Sequence, residues 1–163
     1  TVKHYIEKGL SRWSYFFSKL VICWKDKNFN YVYDAIVYCV FISLGFASIE
    51  NLIAILSNFG GFALALQRGL ITVPAHAFFG IISGYYLGLA KKYEARRWNK
   101  RKRKYIILSL LIPIIVHGMF DSLLFLSSTA SLLFATALIV YLYLSSALKV
   151  VKTSSEAKKI TRR

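Results

Sequence analysis

Apolar positions in this chain fall in long runs, without the alternation or the one-sided stripes of a soluble domain. From Tyr105 to Leu148, 44 residues carry no ionisable side chain other than tyrosine, His117 and Asp121. A membrane-spanning helix needs roughly 20 mostly apolar residues, so the stretch predicts two spans, over about 105–126 and 130–149, broken near LSSTAS at 126–131. The run 35–58 carries only Glu50 and the run 70–90 only His76, tyrosine and cysteine aside, and each predicts one further span. The first segment, YIEKGLSRWSYFFSKLVICW at about 5–24, is interrupted by Glu7, Lys8, Arg12 and Lys19. It predicts a spanning or half-buried helix, with an interfacial amphipathic helix as the alternative. The expected fold is all-α, a polytopic transmembrane helix bundle of four spans plus an N-terminal helix, forming a single helical membrane domain over 1–163. The first residues lack the charged, apolar, small-residue order of a cleavable signal peptide.

Composition agrees with this reading: 56% of residues are hydrophobic, 16% are aromatic, and the mean hydropathy is +0.50. The formal net charge of +15 changes the picture only through its placement. The stretch 91–104, KKYEARRWNKRKRK, holds nine basic residues against one glutamate, and the tail from Lys149 holds six against one. Both abut the ends of apolar runs, so the positive-inside rule makes the expected loop 91–104 and the tail 150–163 cytoplasmic. The uncharged connection at 57–67 then faces outside, and the chain is a multi-pass protein of the cell membrane. Juxtamembrane basic clusters arise from topology and from attraction to anionic lipid; the lipid bilayer is the expected partner, and nucleic acid is not. Cys23 and Cys39 lack metal-ligand spacing and are expected to serve packing.

Ionisable groups inside a span are costly and mark function. Counted from the cytoplasmic end of each span at about 1.5 Å per residue, Glu50 lies roughly 24 Å up, His76 roughly 21 Å, and His117 and Asp121 roughly 18 and 24 Å. Four such groups from three helices at one depth, in the outer half of a core about 30 Å thick, predict one shared site. His117 and Asp121, four residues apart, also share a helix face.

Three stretches give these residues a context. YDAIVYCVFISLGFASIENL at 33–52, RGLITVPAHAFFGIISGYYLG at 68–88 and LLIPIIVHGMFDSLL at 110–124 together resemble the PrsW family of intramembrane metalloproteases, itself similar to the CAAX-protease and bacteriocin-processing group. The matching positions are Gly45, Phe46, Ala47, Glu50 and Asn51; Arg68, Pro74 and His76 with Gly80, Gly84, Tyr85 and Gly88; and His117, Gly118 and Asp121. Spacing by four at Gly80, Gly84 and Gly88 also suits close helix packing in a bilayer. An earlier family motif, EE-x-x-K, is represented only by EKGLSR, with Glu7 at the first glutamate, Lys8 in place of the second, and Ser11 or Arg12 near the lysine.

The resemblance implies peptide hydrolysis around a divalent metal of the zinc kind. His76 and His117 are the expected ligands, Asp121 either a third ligand or the group orienting His117, and Glu50 or Glu7 the general base, with Asn51 and Arg68 supporting. The implied substrate is a single-span membrane protein, such as an anti-sigma factor, cut near its extracytoplasmic end. Two other classes stay open on the residues alone: a protease-like membrane binding or immunity protein with impaired catalysis, and a bundle whose histidines and carboxylates form an ion path.

Overall fold

The computed structural model describes residues 21, 23–58, 61–126 and 128–155; the N-terminal segment holding Glu7 lies outside them. Four long helices follow one another: α1 (Val32–Asn58), α2 (Gly61–Ala95), α3 (Asn99–Leu126) and α4 (Thr129–Ser155). All four are long and apolar enough to cross a bilayer, and no strand occurs among the described residues.

Each helix begins or ends on a local signal. Asp34 accepts backbone N–H bonds from Asn30 and Tyr31, both at 2.8 Å, and so satisfies donors at the start of α1. α2 ends where Arg97 turns left-handed (φ 59°), with Trp98 N–H bonded to the Tyr93 carbonyl and Arg97 N–H to that of Glu94, a Schellman closure. The LSSTAS break is a reciprocal cap: Ser128 and Ser131 each offer a side-chain oxygen to the other's backbone N–H, at 3.0 and 3.1 Å.

The helices run past the apolar stretches. Within the basic stretch 91–104, expected as a loop, only residues 96–98 leave the helix, and the connection between α1 and α2 shrinks as α2 begins at Gly61. Lysine and arginine are good helix formers, so hydropathy marks where a span leaves lipid and not where its helix stops.

α2 is the central helix and packs against α1, α3 and α4. Its seam with α1 is made by glycines. A Cβ added at Gly80 would come within 2.7 Å of the Val40 Cα, one at Gly84 would collide with the backbone of Ile36, and one at Gly88 would meet Val32. Backbone therefore lies on backbone, which only glycine permits. On the other side, α3 is held by a ladder of rings: Tyr86 stacks on Tyr105, Tyr105 on Tyr93, and Tyr93 on Trp98. Below them Glu94 of α2 pairs with Lys102 of α3 at 2.6 Å and with Lys91 at 3.3 Å. No Cα of α1 lies within 8 Å of one of α3; both pack chiefly on α2, and each also touches α4. Outward-facing Phe41, Leu56, Phe125, Phe134 and Leu148 are exposed, as side chains facing lipid should be.

Candidate metal centre

The antiparallel α1–α2–α3 arrangement brings one polar side chain from each helix to a common point. Glu50 stands one turn after Phe46 on α1, His76 near the middle of α2, and His117 on the last third of α3. The Glu50 Oε2 lies 3.0 Å from His76 Nε2 and 3.7 Å from His117 Nε2. One ligand atom from each of the three residues falls within 4.8 Å of the others. The imidazole rings meet edge to face with centroids 5.0 Å apart, and Phe46 and Phe79 close around them.

Hydrogen bonding decides what this point can hold. His76 Nδ1 is 2.7 Å from the Thr72 carbonyl. A carbonyl only accepts, so Nδ1 carries the proton, and neutral His76 then turns the lone pair of Nε2 toward a carboxylate oxygen. Two lone pairs at 3.0 Å are held together only by a cation between them, a proton or a metal ion. On the other imidazole, Asp121 Oδ2 stands 3.4 Å from Nδ1, a placement that favours the proton there and leaves Nε2 facing Glu50. Metal–ligand bonds of 2.0–2.2 Å in a tetrahedron separate neighbouring donor atoms by about 3.4 Å, and the two Glu50 contacts bracket that spacing. Two neutral imidazoles and a carboxylate are a donor set that suits zinc.

Of the residues expected at the site, Glu50, His76 and His117 converge. Asp121 stands behind His117, on the side away from the convergence, with its side chain 60% exposed. Glu7 lies outside the described residues. Asn51 and Arg68 do meet: Arg68 Nε donates to Asn51 Oδ1 at 2.8 Å, and the Thr72 hydroxyl lies 3.1 Å from the same oxygen. That clamp ties α1 to the turn of α2 whose carbonyl holds His76.

Hydropathy did not point to Ser43, whose hydroxyl donates to the His76 carbonyl at 2.7 Å, or to Thr72. Their only signal was position: Thr72 lies four residues before His76. Beside both histidines a cavity of about 40 Å³ opens between α1 and α3, with the apolar side chains of Phe46, Phe79, Leu110, Pro113 and Ile114 in its walls.

Comparison with known proteins decides the family. The model of the PrsW family of intramembrane metalloproteases matches residues 16–148. The chain belongs to that family. The Protease PrsW of Clostridioides difficile is 34% identical over 138 residues, 83% of this chain and 57% of that protein. The one of Halalkalibacterium halodurans is 42% identical over 114 residues, covering 70% and 47%, and the one of Bacillus subtilis 35% identical over 120 residues, covering 74% and 50%. The chain thus spans about half the length of these PrsW relatives. No solved structure matches it. Four apolar helices and membership of this family make it a multi-pass membrane protein.

Proposed function

We propose that this chain carries the metal centre of a PrsW-type intramembrane protease, with Glu50, His76 and His117 holding a zinc ion and Asp121 orienting His117. The observation that carries the reading is the approach of the His76 Nε2, on a ring whose Nδ1 proton is held by the Thr72 carbonyl, to a Glu50 oxygen 3.0 Å away. When bound, the ion polarises the scissile carbonyl and acidifies water.

The chain's own residues supply the rest. Thr72 and Asp121 fix the tautomers of the two imidazoles, Ser43 holds the backbone at His76, and Phe46 and Phe79 keep bulk water from the rings. Glu50 is drawn into the histidine pair, so the general base falls to Glu7, the one matching position of the family's first motif. The substrate is a single-span membrane protein, of which an anti-sigma factor is one example, cut toward its extracytoplasmic end. The position of the centre supports that sidedness: Glu50 lies eight residues before the end of α1 and His117 nine before the end of α3, far from the basic hairpin between α2 and α3.

Two conservative substitutions test the assignment. Glu50→Gln should abolish stoichiometric zinc binding by the purified protein. Glu7→Gln should keep the zinc and lower cleavage of a transmembrane peptide by about 10²-fold or more. Zinc retained by Glu50→Gln with cleavage lost would make Glu50 the base. Zinc binding without cleavage in the unaltered protein would favour the protease-like binding protein, which the altered EKGLSR motif suggests.

A further inference from the structure

Two helical turns below the centre, a second polar contact joins the same helices. Pro113 has no N–H, so the carbonyl of Ser109, four residues earlier on α3, loses its helical donor. The Ser83 hydroxyl of α2 replaces that donor and bonds the Ser109 carbonyl at 2.8 Å. Both serines are buried, at 1% and 0% exposure. Cys39 of α1, fully buried, lies beside the same Ser83 side chain.

One hydroxyl therefore ties α2 to α3 at a level where α1 lies alongside. Register makes the node relevant to it. Ser83 is seven residues from His76, Ser109 eight from His117, and Cys39 eleven from Glu50, each within one residue of a whole number of turns. The node and the centre thus lie on the same faces of the same helices. α1 and α3 keep their backbones apart, so the approach of Glu50 to His117 depends chiefly on how each packs on α2.

Resting on the metal reading above, we propose that Ser83 is a positioning residue for the centre: its hydroxyl, by capturing the carbonyl that Pro113 leaves free, sets the placement of α3 that brings His117 to His76 and Glu50. A merely structural role predicts something different. If the hydroxyl only relieves an unsatisfied carbonyl, any other donor would serve, and Pro113→Ala restores one within α3.

The test uses the full chain in nanodiscs, zinc as the probe, and a chromophoric chelator as competitor. Ser83→Ala should weaken zinc binding about tenfold, as loss of groups behind metal ligands does, and should lower Tm. Ser83→Ala/Pro113→Ala should regain Tm but leave zinc affinity weakened. Unaltered zinc affinity in Ser83→Ala, or joint recovery of Tm and affinity in the double variant, overturns the proposal. If the unaltered chain takes up no zinc, the metal reading fails, and the positioning role is read from distances between nitroxide labels at Leu56 on α1 and Phe125 on α3. The distribution should be narrow with Ser83 and broad in both variants, and an unchanged distribution overturns the proposal.

Discussion

His117 and Asp121 look equivalent in the sequence, two ionisable groups on one helix face, yet their surroundings separate them. The His117 side chain is 14% exposed and its Nε2 faces Glu50, while Asp121 is 60% exposed and faces only the outer ring nitrogen. An orienting carboxylate and a metal ligand differ in what their removal costs. Asp121→Ala should weaken zinc binding by about tenfold, and Asp121→Asn by less, because the amide oxygen still accepts the Nδ1 proton. His117→Ala should remove most of the bound metal. Zinc titration of the three purified variants measures this, and a loss in Asp121→Ala equal to that in His117→Ala would make Asp121 a ligand. Depth counting grouped Glu50, His76, His117 and Asp121 because charge in lipid leaves few innocent explanations. It could not order them around a point, since that depends on helix rotation and on neutral partners such as Thr72 and Ser43, which carry no hydropathy signal.

At the scale of the helices, glycine has two meanings here. In the stripe 80, 84, 88 it is the surface on which α1 lies, and an added methyl at Gly84 would strike the Ile36 backbone, which cannot move aside as a flexible side chain can. Gly118, next to His117, is different: a Cβ there meets nothing within 4 Å. Gly84→Ala should lower Tm sharply or prevent accumulation of folded protein. Gly118→Ala should leave Tm unchanged or slightly raised, because alanine favours helix by about 1 kcal/mol over glycine. Thermal unfolding in detergent compares them, and equal loss in both would contradict the packing seen. A Gly118→Ala protein that is stable but inactive would show that substrate needs the space. The glycine spacing was visible in the sequence, and so were the helices, but their ends were not: the caps at Asp34, Arg97 and Ser128 depend on local backbone geometry, and the basic stretch 91–104 stays largely helical despite its polarity. Pro113 was a readable clue left unused, since a proline inside a helix announces a free carbonyl four residues earlier.

For the whole molecule, orientation decides which side of the membrane the chemistry serves. The α2–α3 hairpin ends in Arg96, Arg97 and Trp98, with Lys100, Arg101, Arg103 and Lys104 just beyond, and its stacked tyrosines lie where aromatic rings favour the headgroup layer. The connection at the opposite end of α2, over 57–67, carries no charge in the sequence, and the cation that follows it, Arg68, is held by Asn51. Charge asymmetry of that size should place the hairpin in the cytoplasm, and the centre, nearer the other end of α1 and α3, in the outer half of the membrane. Cysteine accessibility in intact cells measures the orientation. Cys39 is fully buried, so replacing Cys23 by serine clears the background. In that protein a membrane-impermeant maleimide should label Gln67→Cys from outside and should reach Asn99→Cys only after the cells are opened. Labelling of Asn99→Cys in intact cells, with Gln67→Cys protected, would invert the topology. Glu50, His76 and His117 would then lie in the cytoplasmic half, and the substrate would be cut on the side where the basic hairpin was expected.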